Sequence, residues 1–145
     1  MKGSYKLLII GIALFVLDQL SKYIVRTSMQ ASQSVAVIKN VFHITFVQNT
    51  GAVFGVLKGF GFAFIWLTII ALGFILFYWE RFPKKFVSRL FLVFIVVGLV
   101  GNLIDRVFFG YVIDFLDFRI WPVFNLADSL VSVGVAGLVV GYVKK

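Results

Sequence analysis

The sequence predicts an all-α membrane protein, with four transmembrane helices carrying a small extracytoplasmic β-sheet. Three observations predict it. The 145-residue chain is 61% hydrophobic, has a mean hydropathy of +1.05 and is only 14% charged, whereas soluble domains run closer to half apolar and a quarter charged. Four stretches are long enough to cross a hydrocarbon core, which takes about 20 apolar residues. The basic residues fall in short pieces between those stretches, a pattern of topology rather than of nucleic-acid binding, despite the net charge of +8. A soluble fold of this size lacks the interior to hide so much apolar surface. The length suits one domain, residues 1–145.

The spans fall at about residues 5–25, 59–79, 86–104 and 123–143. Each is expected to be helical, because a spanning segment must satisfy its backbone hydrogen bonds internally. The first has the outline of a secretory signal peptide, with Lys2 and Lys6 before an apolar run. "DQLSKYIV" follows it without a small-x-small cleavage site, so it reads as a retained helix.

Orientation follows from the basic clusters. Lys2 and Lys6 precede the first span, Arg81, Lys84, Lys85 and Arg89 crowd the second link, and Lys144 and Lys145 close the chain. An even number of spans puts all three groups, and both termini, in the cytoplasm. Lys22, Arg26, Lys39, Lys58, Arg106 and Arg119 are spread over the longer outer segments. Tyr5, Tyr78, Trp79 and Tyr142 mark the inner interface, and Tyr23, Tyr111 and Trp121 the outer one. The two long connections, about 26–58 and 105–122, therefore lie outside, where function on loops is expected. Within the first, "VFHITFVQN" alternates with a period of two and reads as a strand. "SVAVI" before it, with Lys39-Asn40 as a turn, suggests a small antiparallel sheet on the outer surface.

Against this apolar frame the polar residues stand out. A charge-free run, residues 90–104, ends in "GNLIDRVFFGYVIDFLDF", which holds Asp105, Asp114 and Asp117, half of the six acidic residues. Asp18 and Lys22 are four apart and share a helix face; they read as an ion pair that orients the first helix or positions a substrate. Asn49 and Gly51 in "NTGAVFG" are a turn signal. Asn102 and Arg106 share a face at the end of the third span, where the Arg fork can hold a carboxylate or a lipid phosphate. Asp105 reads as a local cap or pair. Asp128 sits one turn after Asn125 in "FNLADS", at the start of the fourth span. Pro122 limits helix before it and favours an extended or turning segment that brings the chain back. Taken singly, Asp114 is an interfacial loop carboxylate and Asp128 a first-turn acid favoured by the helix dipole. Taken together, they are two carboxylates delivered to one outer edge of the membrane, where an ionisable group is costly and by default functional.

Other chemistries are thin. The chain has no cysteine and one histidine, His43, so thiolate sites, disulfides and a metal cluster are out of reach. A Ser-His-Asp triad would need His43, whose strand context gives it no support. There is no phosphate-binding glycine loop. A transporter using Asp18, Asp105 and Asp128 as a relay would distribute its charges through the midplane, whereas here they crowd the outer end. A non-catalytic assembly subunit would not need two paired aspartates.

The motifs "DQLSK", "NTGAVFG", "GNLIDR", "GYVIDF" and "FNLADS", in this order and on four spans, closely resemble lipoprotein signal peptidase (signal peptidase II) over essentially the whole chain. The resemblance implies a bacterial aspartyl endopeptidase of the cytoplasmic membrane. Such an enzyme cleaves the signal peptide from prolipoproteins just before the diacylglyceryl-modified cysteine. It implies Asp114 and Asp128 as the catalytic pair, with Asn49, Asn102, Arg106, Asn125, Asp18 and Lys22 in support, and an outer sheet that cradles the substrate. Departures at Val53, Tyr111 and Ile113 are mild and lie off the catalytic positions. The expected partners are lipidated prolipoproteins and membrane lipids, not nucleic acid. The expected state is a monomer without metal or cofactor, and the expected active site faces outward.

Overall fold

A computed structural model describes residues 2–51 and 61–143. The "AVFG" of "NTGAVFG", Lys58, the first two residues of the expected second span, Lys144 and Lys145 lie outside the described residues. In chain order the elements are α1 (Lys2–Ser28), β1 (Ser34–Ile38), β2 (Phe42–Asn49), α2 (Gly61–Phe77), α3 (Phe86–Phe109), β3 (Val112–Asp117) and α4 (Leu126–Val143), with a single 3-10 turn at Trp79–Arg81 between α2 and α3. Among the described residues two helices, Ser4–Ser28 and Phe86–Phe109, are long and apolar enough to cross a membrane; Phe62–Phe77 and Leu126–Gly141 are shorter apolar helices.

Helix ends follow local chemistry. α3 stops at Gly110, which adopts the left-handed conformation at φ 79° and returns its N–H to the Arg106 carbonyl at 3.0 Å, a glycine C-cap. α4 begins at Leu126 and not at 123, because Phe124 is held in the sheet: its N–H and carbonyl both pair with Leu116, at 3.2 and 2.7 Å. The chain does come back after Pro122, as an extended segment alongside β3.

The sheet has three strands in the order β1-β2-β3, all antiparallel. The expected pair is β1 and β2, turning through Asn40 at φ 60°, a conformation Asn tolerates. The third strand was not expected as such: "VIDFLD" sits between β2 and the Phe124 bridge and is buried almost throughout. Strand pairing with neighbours on both sides turns a loop carboxylate, Asp114, into a fixed one. Val25 of α1, Phe46 of β2 and Ile113 and Phe115 of β3 form the core that seats the sheet on the helices.

α3 is the central helix, packed by α1, α2 and most extensively α4. Its contacts with α4 and α1 depend on small residues. A Cβ on Gly98 would collide with the Ala127 carbonyl, and one on Gly101 would lie 2.6 Å from Asp18 Oδ2. Such close approach is the usual way helices associate where lipid removes the hydrophobic drive.

Candidate active site

The sequence singled out eight polar residues, and seven of them meet in one connected cluster at the sheet end of the helices. Lys22 is at its base and is 1% exposed. Its Nζ lies 2.9 Å from Asp18 Oδ2, 2.9 Å from Asp105 Oδ2 and 3.0 Å from Asn102 Oδ1. An ammonium has three donors and no acceptor, so all three are used. The Asp18–Lys22 pair expected from spacing is therefore real, but it reaches beyond its own helix.

Asp18 then serves a second helix. Its Oδ1 accepts the N–H of Ala127 at 2.9 Å, one of the four donors that an α-helix start leaves unpaired. Asp105 also corrects the expectation of a local cap or pair. Besides Lys22, it accepts the backbone N–H of Ile113 at 3.3 Å and so pins the strand beside Asp114. The signal available in the sequence was its spacing: Asn102, Asp105 and Arg106 share one face of α3.

Asn102 passes this order on. Because its oxygen faces Lys22, its Nδ2 faces outward and donates to Asp128 Oδ1 at 2.8 Å. The same oxygen accepts Asn125 Nδ2 at 3.1 Å. Asn125, fully buried, is the N-cap of α4: its Oδ1 accepts the Asp128 N–H at 2.9 Å, and Asp128 Oδ2 accepts the Asn125 N–H at 3.2 Å. This reciprocal pair is a capping box with Asp in the third position. Asn125 Nδ2 also donates to Asp114 Oδ1 at 2.6 Å. One asparagine thus touches both carboxylates.

Asn49, at the end of β2, closes the other side. Its Oδ1 is occupied by the Gly51 N–H at 2.9 Å, with Gly51 at φ 95°, so its Nδ2 is presented to Asp114 Oδ2, at 2.8 Å. The turn that "NTG" signalled is what aims the amide. Arg106 stands apart from the hydrogen-bonded cluster. Its guanidinium lies 5.3 Å from the Phe64 ring centre, and its Nε has no partner among the described residues, while its charge acts on Asp128, Asp114 and Asp105.

The two carboxylates differ in access. Asp114 is 1% exposed, whereas Asp128 is half-buried and lines a cleft of about 540 Å³ with Phe118, Ile120, Trp121, Phe124 and Ser129. Burial pushes the Asp114 carboxyl up to about 7, with the Asp128 charge adding to it and the Asn49 and Asn125 amides and Lys22 opposing. Asp117 behaves oppositely. Burial raises it, but hydrogen bonds from Thr45 and from the Arg119 backbone and side chain outweigh burial and hold it below the ordinary value.

Residues 10–144 match the family model for signal peptidase (SPase) II. A lipoprotein signal peptidase of Halothermothrix orenii is 47% identical over 131 residues, covering 90% of this chain and 90% of that one. The lipoprotein signal peptidase of Moorella thermoacetica is 45% identical over 129 residues, covering 88% and 86%. Two solved structures, each described as a bacterial membrane enzyme determined by the in meso method, superpose with a TM-score of 0.87 at 32% identity; one covers 96% of this chain and 88% of its own, the other 97% and 94%. A matching family model over nearly the whole chain, close relatives of the same length and a shared fold agree: the chain belongs to the signal peptidase II family, the aspartic-type membrane peptidases that remove signal peptides from prolipoproteins.

Proposed function

We propose that Asp114 and Asp128 are the catalytic dyad, and that they cleave diacylglyceryl-modified prolipoproteins on the amino-terminal side of the lipidated cysteine at the outer face of the cytoplasmic membrane. The observation that carries this reading is the double role of Asn125, which hydrogen-bonds Asp114 through its side chain and Asp128 through its backbone. Two carboxylates clasped by one residue cannot both ionise easily and share a proton. Asp114, buried and pushed up to about 7, holds that proton. Asp128, open to the cleft, takes a proton from water as the water attacks the scissile carbonyl. Asp114 donates to the developing oxyanion, and the proton gained by Asp128 goes to the leaving amine. As the C–N bond breaks, the gem-diol re-forms a carbonyl and returns a hydroxyl proton to Asp114, so water has added across the amide to give one carboxylic acid and one amine, and the dyad is back in its starting state.

The cleft beside Asp128 is largely apolar, which suits a substrate whose cysteine carries two acyl chains. Such a substrate is confined to the bilayer, so the aspartates are brought to the membrane surface. We read all four helices as spans with both termini in the cytoplasm. α2 and α4 have 17 and 18 residues, lengths of roughly 25 Å and 27 Å against a core of about 30 Å. The basic clusters favour this orientation. Asn49, Asn102, Asn125, Asp18 and Lys22 then act as the positioning frame, and the planar fork of Arg106 holds a carboxylate or a lipid phosphate beside the site.

The test is turnover of a lipidated prolipoprotein by purified, folded variants. Asp114→Asn and Asp128→Asn should each lower cleavage by several orders of magnitude, and the double variant should be little worse than either, because the pair works as one unit. Asp117→Asn is the control, since its partners are Thr45 and Arg119, and it should largely retain activity. Near-normal turnover in either dyad variant would overturn the mechanism.

A further inference from the structure

At the other end of the helices lies a second hollow, of about 1110 Å³, between α1, α3 and the segment from Leu76 to Phe86. α3 forms its floor through Val93, Val97 and Val100, and α1 forms one wall through Leu8, Ile12 and Phe15. Its polar groups are confined to one end, where Ser4, Glu80, Lys84 and Arg89 form the rim. The wall from Ser4 to Phe15 covers eleven helical steps, roughly 16 Å at 1.5 Å per residue, about half the hydrocarbon thickness. The hollow ends one turn short of Asp18. It is therefore one leaflet deep.

We propose that this hollow is a binding site for an anionic glycerophospholipid of the cytoplasmic leaflet, with its acyl chain against α1 and α3 and its phosphate at Lys84. The proposal rests on the orientation read above, and it concerns a site remote from the aspartates. Depth and charge identify the occupant. The apolar helix of a signal peptide needs a path through both leaflets, and its basic leader would meet a rim bearing Lys84 and Arg89, flanked by Arg81 and Lys85. An anionic headgroup meets those charges favourably. Arg89 is already held by the Trp79 carbonyl at 2.7 Å and stacks on the Trp79 ring at 4.8 Å, so it sets the shape of the rim. Lys84 is exposed and meets only Glu80 among the described residues, at 3.6 Å. A surface pair of that kind contributes little and gives way to a phosphate.

The experiment uses the full-length protein in detergent, stripped of lipid and titrated with phosphatidylglycerol or phosphatidylcholine under native mass spectrometry. The parent should retain one phosphatidylglycerol and hold phosphatidylcholine more weakly. Lys84→Gln should weaken phosphatidylglycerol on the order of fivefold, the loss of one headgroup charge, and Ile12→Trp, which fills the hollow from an exposed position, should abolish retention. Both variants should cleave lipidated prolipoprotein at the parental rate in detergent, which also reports that they are folded. Equal retention of the two lipids by all three proteins would overturn the proposal. So would displacement of phosphatidylglycerol by a synthetic signal peptide. Loss of the lipid site with cleavage intact leaves the peptidase reading standing, whereas outward accessibility of Lys84 would remove the orientation on which both rest.

Discussion

Replacing Asp114 by Asn removes a carboxyl that the fold keeps from ionising, at a cost. Its carboxyl is raised from 3.8 to about 7, chiefly by burial and then by the Asp128 charge. A folded value above the unfolded one means that Asp114 contributes its full stability only below about pH 4, and that the contribution fades as pH rises through about 7. At about 1.4 kcal/mol per unit, the ionisable group destabilises the fold by at most on the order of 2 kcal/mol at pH 5 and about 4 kcal/mol at pH 8. Asn escapes both losses but brings one of its own. Asp114 accepts two amide donors, from Asn49 and Asn125, while an Asn side chain has one oxygen, so one donor faces another donor. That mismatch costs about 1.5 kcal/mol. Asp114→Asn should therefore be near neutral at pH 5 and stabilising by about 2–3 kcal/mol at pH 8, a rise in Tm of roughly 5–10 °C. The assay is thermal unfolding of parent and variant in one detergent across pH 5 to 8. A constant difference across that range would refute the claim that this carboxyl is held neutral by its surroundings.

Two further predictions follow from the same geometry. Arg106→Lys keeps the charge but loses the planar fork, so cleavage of lipidated prolipoprotein should fall by roughly 10- to 100-fold, equal to one charge-assisted hydrogen bond; unchanged turnover and substrate affinity in the folded variant would remove the role given to Arg106. For the topology, a cysteine placed at Lys39 should react with a membrane-impermeant thiol reagent in intact cells, or in spheroplasts if an outer membrane blocks it, while one at Lys84 should not. The reverse labelling would invert the assigned orientation.

The helices and the first two strands were legible because their signals are local. Apolar runs of membrane length and the period-two alternation of "VFHITFVQN" need no distant partner to be recognised. β3 was not legible in the same way. "VIDFLD" is a strand because β2 lies on one side of it and the Phe124 bridge on the other, and pairing over such separations leaves little mark on the segment itself. The start of α4 was misplaced for a related reason. Residues 123–125 are apolar enough to read as span, but Phe124 belongs to the sheet and Asn125 is the cap.

The site shows the same division more sharply. Spacing paired Asp18 with Lys22 and Asn102 with Arg106, because i and i+4 meet on any helix. It could not join the pairs, since that contact runs from α1 to α3. Lys22 makes the join, and the consequence is directional. A residue with donors only must face the oxygen of Asn102, so the amide nitrogen of Asn102 must face Asp128. Asn125 is oriented in turn by the Asp128 N–H that its oxygen caps, which turns its nitrogen to Asp114. An amide read the other way round would meet a donor with a donor and leave a carboxylate short of a partner in a buried site, at about 1–3 kcal/mol each. Burying an ammonium is expensive, and taking it away alone would leave Asp18 and Asp105 buried without their cation. Its position here is accounted for by what it aligns: through Asn102 one lysine determines which atom faces Asp128, while the α4 cap, through Asn125, does the same for Asp114.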